Sequence, residues 1–221
     1  MRSVRIWFTK CDTAKYISHL DLTRCFIRAF RRTDIPLWYT EGFNPHPHLV
    51  FGLSLPLGAE GLNEAFDIRL DDDSYPDEKI LESLNAVTVN GIKFLKTAEP
   101  VYKPLEIEKA EYDFIFESDN VPAAVLLEQL KSRLDSGEVF YEKKTKKKDP
   151  KLINICDYIE NPQFTLSGET VMLNIFLPAG NAFTINPIHF CAALTEETDC
   201  EPSNSKVIRK NLFVKNGEIY R

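Results

Sequence analysis

The chain has 221 residues, a formal net charge of −6 and a composition that is 43% hydrophobic and 27% charged, which is ordinary for a folded globular protein. No apolar run approaches the roughly 18–20 residues of a membrane-spanning helix, and the N-terminus begins with strand-like alternation and not with the apolar core of a signal peptide. The five cysteines are odd in number and have no C-x-x-C spacing, which argues against a disulfide framework and an iron–sulfur cluster. We therefore predict a cytoplasmic protein without membrane association.

The net charge conceals a segregation of acidic and basic residues along the chain. Glu60 to Glu82 contains nine acids and two cations, whereas Lys143 to Lys151 contains six lysines and one aspartate. The overall charge argues against a generic nucleic-acid coat, but it leaves room for local cationic surfaces.

The first hundred residues predict the element order β-α-β-β-α-β. Apolar residues alternate from Val4 to Phe8, which predicts a strand, and Ser18 with Asp21 forms a capping box for a helix that runs to about Thr33. The other predicted elements are strands at Leu37 to Tyr39 continuing in Val50 to Leu55, at Glu64 to Leu70 and at Gly91 to Leu95, and a helix capped by Ser74 that ends before Val89. This order is that of a ferredoxin-like domain, in which two helices cover one face of a four-stranded antiparallel sheet.

The second half repeats the order with weaker signals. We predict strands at Tyr112 to Phe116 and Val171 to Phe176, helices from Pro122 to Leu134 and from Asn186 to Leu194, a lysine-rich hairpin-like insert between them, and a closing segment from Phe213 to Tyr220 with an Asn216-Gly217 turn. The extended stretch Pro100 to Pro104 is the predicted link. The predicted fold is therefore α+β, with two tandem ferredoxin-like (β-α-β-β-α-β) halves that have antiparallel sheets, residues 1–103 and residues 104–221.

The most unusual stretch is Gly42 to Gly58, which holds two of the four histidines and three prolines and is called here the Pro-His segment. Asn44 and His46 each precede a proline, which disfavours helical conformers and keeps this backbone extended. In a β-strand His46 and His48 would face the same way, whereas in a polyproline II conformation they would diverge by about 120°. The first geometry suits shared chemistry and the second does not.

Histidine and carboxylate side chains around this segment are of the types that bind divalent metals. The candidate metal ligands are His19, Asp21, His46 and His48, and the candidate catalytic bases are His19 and His46. Their spacing is no known metal signature, and Asp21 already has a capping role. A structural or ligand-contacting role is therefore the favoured interpretation, with metal binding or catalysis as the alternative.

Motifs of common enzymes are absent from the sequence. There is no G-x-S-x-G, no G-x-x-x-x-G-K-[ST] and no G-x-G-x-x-G after a predicted strand. Since no partner acid or oxyanion donor accompanies the histidines, the sequence contains no complete catalytic constellation and favours a protein that is not an enzyme.

The helix after Ser18 has one apolar face and one cationic face. Arg24, Arg28, Arg31 and Arg32 lie nearly opposite its apolar stripe at 100° per residue. The candidate substrate-binding residues are Arg24, Arg28 and Arg31 of this face, Asn44, His46 and His48 of the Pro-His segment, and Lys144, Lys146 and Lys147 of the lysine run. A solvated surface is the alternative, and it is the better interpretation of a lysine run alone. Arginine prefers bidentate phosphate or carboxylate partners, which favours phosphate binding at the helix.

Three stretches of the sequence together resemble the radical-SAM-linked protein family. They are Ser18-His19-Leu20-Asp21-Leu22 with the arginine-rich helix after it, Gly42-Phe43-Asn44-Pro45-His46-Pro47, and Leu55-Pro56-Leu57-Gly58. That family is a domain of unknown function that is encoded beside, or fused to, a radical-SAM protein with a cobalamin-binding domain. The resemblance implies a radical-SAM partner that carries the iron–sulfur cluster, S-adenosylmethionine and cobalamin, while this chain has no cofactor of its own.

Three hypotheses about function follow from the sequence. The first is an accessory protein that binds structured RNA, or another shared substrate, and presents it to a radical-SAM enzyme for modification. The second is an enzyme, either a histidine-based RNA endonuclease or a metal-dependent hydrolase. The third is a protein-interaction module that uses the acidic stretch from Glu60 to Glu82. The sequence gives no indication of the oligomeric state.

Overall fold

The computed structural model describes residues 1–143, 151–180, 182–196, 198 and 202–221. Within these residues the chain is an α+β fold with a mostly antiparallel sheet, ten strands and four α-helices. The strands are β1 (Arg2–Lys10), β2 (Leu49–Phe51), β3 (Glu60–Leu70), β4 (Ile92–Ala98), β5 (Ile107–Glu117), β6 (Phe140–Lys143), β7 (Lys151–Asn154), β8 (Glu160–Ser167), β9 (Thr170–Pro178) and β10 (Asn204–Val214). The helices are α1 (His19–Phe30), α2 (Asp77–Val87), α3 (Ala123–Asp135) and α4 (Pro187–Thr195). In the part of the chain thus described, no helix combines the length and the apolar character needed to cross a membrane.

The N-terminal strands lie in the spatial order β4-β1-β3-β2, and all of their pairings are antiparallel. The chain visits these strands and their helices in the order β1-α1-β2-β3-α2-β4. Alternate residues of the strands, among them Val4, Ile6, Phe66 and Ile68, are buried in one core with Phe26 of α1. The period-two alternation of β1 and β3 therefore places α1 and α2 on one face of these strands and leaves the other face to the polar positions.

The C-terminal strands lie in the order β10-β5-β9-β8, again with antiparallel pairings. Between α3 and β8 the chain inserts β6 and β7, which pair with each other in a separate two-stranded antiparallel sheet. Tyr112 and Phe114 of β5 and Leu173 of β9 are buried with Leu126 of α3 and Phe190 of α4 in a second core. The same alternation thus positions α3 and α4 against these strands.

The two sets of strands join in one eight-stranded sheet, which we did not expect from the sequence. Ile208 and Arg209 of β10 pair in parallel with Glu60 and Gly61 of β3. The reason lies in the length of β2, which has three residues and pairs only with the second half of β3. The start of β3 is left with unpaired backbone groups, and the edge strand β10 satisfies them.

The second strand of the sequence-based scheme is wrong in its extent. We predicted a strand from residues 37–39 and 50–55, but β2 covers Leu49–Phe51 alone, and Leu37 and Tyr39 form only isolated bridges. Prolines explain the difference, because a residue without a backbone N–H cannot continue a ladder of hydrogen bonds. The bridge of Tyr39 is to Pro47, so the two flanks of the intervening loop lie side by side as a short hairpin.

Candidate functional site

Helix α1 presents its arginines to solvent because its opposite face is fixed in the core. The helix is capped by Ser18, whose Oγ accepts a hydrogen bond from the backbone N–H of Asp21 at 3.2 Å and donates one to the Asp21 carboxylate at 2.7 Å. Leu22 and Phe26 of the apolar stripe are buried. The arginines opposite that stripe are exposed: Arg24 and Arg28 within the helix, and Arg31 and Arg32 directly after its last residue.

Three of these arginines line a groove between α1 and the end of α2. Arg24, Arg28 and Arg32 form one side, and Val87 and Val89 form the other. The groove has a volume of about 330 Å³. Its lining includes one carboxylate, that of Asp21, so the groove has a net positive charge.

The arginines differ in how far they are engaged within the chain. Arg24 forms an exposed ion pair with Asp21 at 3.2 Å, and Arg32 donates a hydrogen bond to the backbone carbonyl of Val87 at 3.2 Å. Arg28 and Arg31 form no ion pair with any residue that the structure describes. Hydrogen bonds from Ser18 and then Arg24 lower the pKa of Asp21, so this carboxylate is ionised near neutral pH.

The Pro-His segment begins in the tip of a hairpin that projects from the edge of β3. The backbone N–H of Thr40 bonds to the carbonyl of His46 at 2.9 Å, and that of His48 bonds to the carbonyl of Trp38 at 3.2 Å. Gly42 has a φ of 138°, a value that suits glycine and allows the chain to reverse at the tip. Phe43 is fully exposed at this tip, although it is a large aromatic residue.

His46 and His48 lie in different environments on the same arm of this hairpin. His46 is exposed, and its Nδ1 lies 3.0 Å from Oγ1 of Thr40. His48 is half-buried, with its ring 6.0 Å from the ring of Trp38. Burial, followed by the positive charge of Arg69, lowers the pKa of His48 and favours its neutral form.

His19 lies at the first position of α1, where it packs on an aromatic ring of β2. Its ring meets Phe51 of β2 edge-on, with the ring centroids 4.8 Å apart. Burial, followed by the charge of Lys10, lowers its pKa. The aromatic partner of His19 therefore belongs to β2.

The candidate metal ligands are not gathered into one site. Among the residues that the structure describes, no group of three histidine, cysteine, aspartate or glutamate side chains is placed to hold a metal ion. Asp21 is engaged with Ser18 and Arg24, and His19 packs on Phe51. The side chains predicted from the sequence as metal ligands therefore interact with other groups in the fold.

Lys144, Lys146 and Lys147 lie outside the described residues, in the interval 144–150. The strands that border this interval, β6 and β7, pair antiparallel. Asn44, the other predicted substrate contact, is exposed at the hairpin tip, next to Phe43. Of the predicted contacts, the structure thus places the arginines on α1 and Asn44, His46 and His48 on the hairpin.

Comparison with known families assigns the chain to one of them. Residues 3–187 match the family described as "Uncharacterized protein conserved in bacteria (DUF2344)", which is more than half of the chain. The chain belongs to this family. The family description names no radical-SAM enzyme, so the partnership implied by the sequence resemblance stays a prediction.

Two solved structures that this family member resembles are distant from it in sequence. It is 12% identical to a chain in "Crystal Structure of a Cbf5-Nop10-Gar1 Complex", with a TM-score of 0.42, and the match covers 93% of this chain and 48% of that one. The chain thus spans about half the length of that protein. It is 9% identical to the chain in "Crystal Structure of an Unknown Protein from Galdieria sulphuraria", with a TM-score of 0.27 and coverages of 94% and 98%. No curated protein matches the sequence.

A network of buried charges that was not predicted from the sequence lies where β3 meets β10. Arg209 is almost completely buried, and its Nε and Nη2 bind the two carboxylate oxygens of Glu64. The same guanidinium donates to the backbone carbonyls of Leu53 at 2.8 Å and Ser54 at 3.2 Å. Arg209 therefore joins the two sets of strands to the loop that follows β2, and its donors are used inside the protein.

A second buried arginine, Arg5, lies on the face of the N-terminal strands that α1 and α2 do not cover. Arg5 binds Asp67 through two hydrogen bonds of 2.7 and 2.8 Å and donates to the backbone carbonyl of Tyr102 at 2.8 Å. Its guanidinium carbon lies 3.9 Å from the centre of the Tyr220 ring. Arg5 thus holds the segment after β4 and the segment after β10 against β1 and β3.

Proposed function

We propose that the chain is a non-catalytic accessory protein of a radical-SAM enzyme, and that it binds structured RNA, or another substrate shared with that enzyme, and presents it for modification. The observation that carries the RNA part of the proposal is the groove beside α1. Arg24, Arg28 and Arg32 line it, and the one carboxylate in its lining, Asp21, is ionised and paired with Arg24. Such a surface attracts a polyanion.

The spacing of these arginines suits a strand of linked phosphates. Residues four apart on a helix rise by about 6 Å along the axis, so Arg24 and Arg28 follow one another on one side of α1. Arg32, two residues after the end of α1, lines the same groove. Guanidinium groups bind phosphate in a bidentate manner, which a solvated lysine does not do. Arg31 is exposed directly after the last residue of α1 and has no ion pair among the described residues, so it extends the cationic surface beyond the groove.

The hairpin tip supports recognition of unpaired bases. Exposed aromatic side chains stack on the bases of single-stranded loops, and Phe43 is fully exposed. Asn44 and His46 beside it supply hydrogen-bonding groups that are open to solvent. In this proposal the arginines bind the backbone and the hairpin tip contacts a loop base.

The radical-SAM partnership rests on the sequence resemblance. The partner would supply the iron–sulfur cluster, S-adenosylmethionine and cobalamin, and this chain would supply the bound substrate. Co-purification tests this part: a tagged chain, expressed with the radical-SAM protein encoded beside it, is expected to retain that protein on the affinity resin, and its absence from the eluate would contradict the partnership. We place the pair in the cytoplasm, because scattered free cysteines suit a reducing compartment.

We also propose that the two parts of the chain, residues 1–103 and 104–221, are ferredoxin-like halves. The strand orders β4-β1-β3-β2 and β10-β5-β9-β8 support this, because each places the first and third strands of its half at the centre. The chain order of strands and helices is the same in both once the β6–β7 insert is set aside.

Salt-dependent binding to a fluorescent RNA stem-loop tests the RNA proposal. With three to five phosphate contacts, the logarithm of the affinity should fall with the logarithm of the salt concentration with a slope of about −2 to −4. Replacing Arg24 and Arg28 together by alanine should weaken binding and reduce the slope by roughly 1.4, about 0.7 for each lost contact.

The matched control replaces two exposed lysines that are far from α1 in the sequence, Lys79 and Lys93, by alanine. This variant removes the same charge and should keep the wild-type slope. If both double variants bind RNA as the unchanged chain does, the arginine face does not contact RNA. Cleavage of the stem-loop by the purified chain would favour the endonuclease hypothesis instead, and cleavage that depends on an added metal would favour the hydrolase.

A further inference from the structure

A cavity lies on the face of β1, β2 and β3 that is turned away from α1 and α2. The register shows which residues share that face: Ser3 of β1 is opposite Arg69 of β3, and Val50 of β2 is opposite Asp67. These four residues line the cavity together with His48, and its volume is about 700 Å³. Pockets of this size hold small organic ligands in other proteins.

The wall of the cavity is the segment from Glu99 to Pro104, and hydrogen bonds on its far side hold it in place. The backbone N–H groups of Val101 and Tyr102 bond to the carbonyl of Arg221 at 3.0 and 2.9 Å. The carbonyl of Tyr102 accepts a hydrogen bond from buried Arg5 at 2.8 Å. Because this backbone is fixed to other parts of the fold, the cavity exists before any ligand enters.

The charged groups around the cavity fall into two classes. Three are neutralised within the protein: the Met1 ammonium by Asp73 at 2.6 Å, Arg2 by Asp77 at 2.6 Å, and Asp67 by Arg5 at 2.7 Å. Arg69 and Lys103 line the same cavity, and neither has an ion pair among the described residues. Two cations and one carboxylate of the lining, Glu99, thus have no ion-pair partner among the described residues, which leaves an excess of one positive charge among these three groups.

The Arg69 side chain is held in a geometry that leaves its donors available. Its guanidinium carbon lies 5.5 Å from the centre of the Trp38 ring, which is a cation–π contact. Such a contact uses the face of the guanidinium and not its N–H groups, which stay free for hydrogen bonds. The lining also includes His48, whose Nδ1 is buried without a hydrogen-bond partner among the described residues.

We propose that this cavity is a binding site for a small organic anion, whose phosphate or carboxylate group is bound by Arg69 and Lys103. A planar carboxylate and a tetrahedral phosphate each offer several oxygens that accept hydrogen bonds from the guanidinium of Arg69 and the ammonium of Lys103. Because the Glu99 carboxylate also lines the cavity, it would repel a second anionic group of the ligand. The rest of the ligand should therefore carry a hydroxyl or amine that donates a hydrogen bond to Glu99. The site is independent of the arginine groove on α1.

Fluorescence of Trp38 provides a direct test, because its ring lies against Arg69. The chain has two tryptophans, and the Trp7→Phe variant leaves Trp38 as the single emitter while it keeps an aromatic ring in the core. Titration with glycerol 3-phosphate and, separately, with glycerate should change the emission saturably, because each probe has one anionic group and hydroxyl donors. A response to glycerol 3-phosphate alone assigns the site to phosphate-bearing ligands, and a response to glycerate alone assigns it to carboxylates.

Variants decide whether the responding site is the cavity. Arg69→Gln and Lys103→Ala, each measured by titration calorimetry, should weaken binding at least about tenfold, since a hydrogen bond between charged groups is lost. Lys96→Ala is the matched control: Lys96 lies 4.7 Å from the centre of the Trp7 ring, a comparable cation–π pair, but it is not part of the cavity lining. It should bind as the unchanged chain does.

Two results would overturn the proposal. One is the absence of saturable binding of either probe in the millimolar range. The other is binding that Lys103→Ala and Arg69→Gln leave unchanged, since the anion would then occupy another surface. The Arg24→Ala/Arg28→Ala variant is expected to bind the probes normally, so a failure of the RNA proposal and a failure of this one are seen in different variants.

Discussion

Arginine has opposite roles in two regions of the molecule, the junction of β3 with β10 and the exposed face of α1. At the junction Arg209 is buried, and it binds the carboxylate of Glu64 and two backbone carbonyls. On α1, Arg28 is exposed and has no ion pair among the described residues. Burial separates the two roles: a buried guanidinium has to be satisfied by the fold, whereas an exposed one without a partner is available to a ligand.

The largest expected effect is at the junction. Replacing Arg209 by methionine keeps much of the side-chain volume but leaves the Glu64 carboxylate buried without its partner. Removal of one member of a buried ion pair costs about 3–5 kcal/mol, so the free energy of unfolding should fall by that amount. Urea denaturation followed by circular dichroism measures it.

The double variant Glu64→Leu/Arg209→Met sharpens this prediction. With both charges gone, no buried charge is left unpaired, and most of the lost stability should return. A double variant as unstable as the single one would show that the arginine acts through Leu53 and Ser54 and not through the carboxylate.

A smaller loss is expected for the other buried arginine. Arg5→Lys keeps the positive charge but removes the bidentate pairing with Asp67 and the contact with the Tyr220 ring. Since Asp67 is partly exposed and can recover water as a partner, the loss of stability should be about 1–3 kcal/mol. A loss as large as that of Arg209→Met would mean that lysine no longer holds the segments around Tyr102 and Tyr220 against the sheet, and faster proteolysis near Tyr102 would check this.

The sequence contains a pattern that indicates buried charges at the junction. Lys10 continues the inward phase of Val4, Ile6 and Phe8, and Glu64 has the phase of Phe66, so charged residues occupy positions that alternation assigns to the core. A buried charge needs a partner of opposite sign, as Glu64 has in Arg209, or hydrogen bonds to the backbone, as Lys10 has to the carbonyls of Lys15 and Ile17. The sequence could therefore predict that Glu64 is paired inside the protein, but not which arginine pairs with it.

The burial of Arg5 could not be predicted from local pattern. Its phase on β1 is that of the polar face, and it becomes buried because Tyr102 and Tyr220, which are distant in sequence, cover it. The same limit applies to the cavity beside it, whose wall lies between β4 and β5. By contrast, the arginine face of α1 followed from helical periodicity alone, because the apolar stripe fixes the orientation of the helix.

The two histidines with lowered pKa values predict a further, weaker effect of pH. In His19 and His48 burial favours the neutral form, so below the ordinary value of 6.5 the folded chain binds fewer protons than the unfolded chain. Their stabilising contribution is complete above that pH and is lost as the pH falls through the folded-state pKa. Unfolding measured between about pH 7 and pH 5 should show this decline, and the variant His19→Gln/His48→Gln should show a shallower one. An equal decline in both chains would assign it to other groups.

The smallest expected effect on stability is on α1, and it completes the comparison with the junction. Arg28→Ala and Arg31→Ala remove exposed guanidiniums that have no ion pair among the described residues. At position 28, inside the helix, alanine is also a slightly better helix former than arginine. The free energy of unfolding should therefore change by less than about 0.5 kcal/mol for each variant, against the several kcal/mol expected for Arg209→Met. Urea denaturation of the three variants under one set of conditions makes the comparison. A loss above about 1 kcal/mol for Arg28→Ala would mean that this side chain has a structural partner and is not free for phosphate. Unchanged stability with weaker RNA binding would instead assign the cationic face of α1 to a ligand.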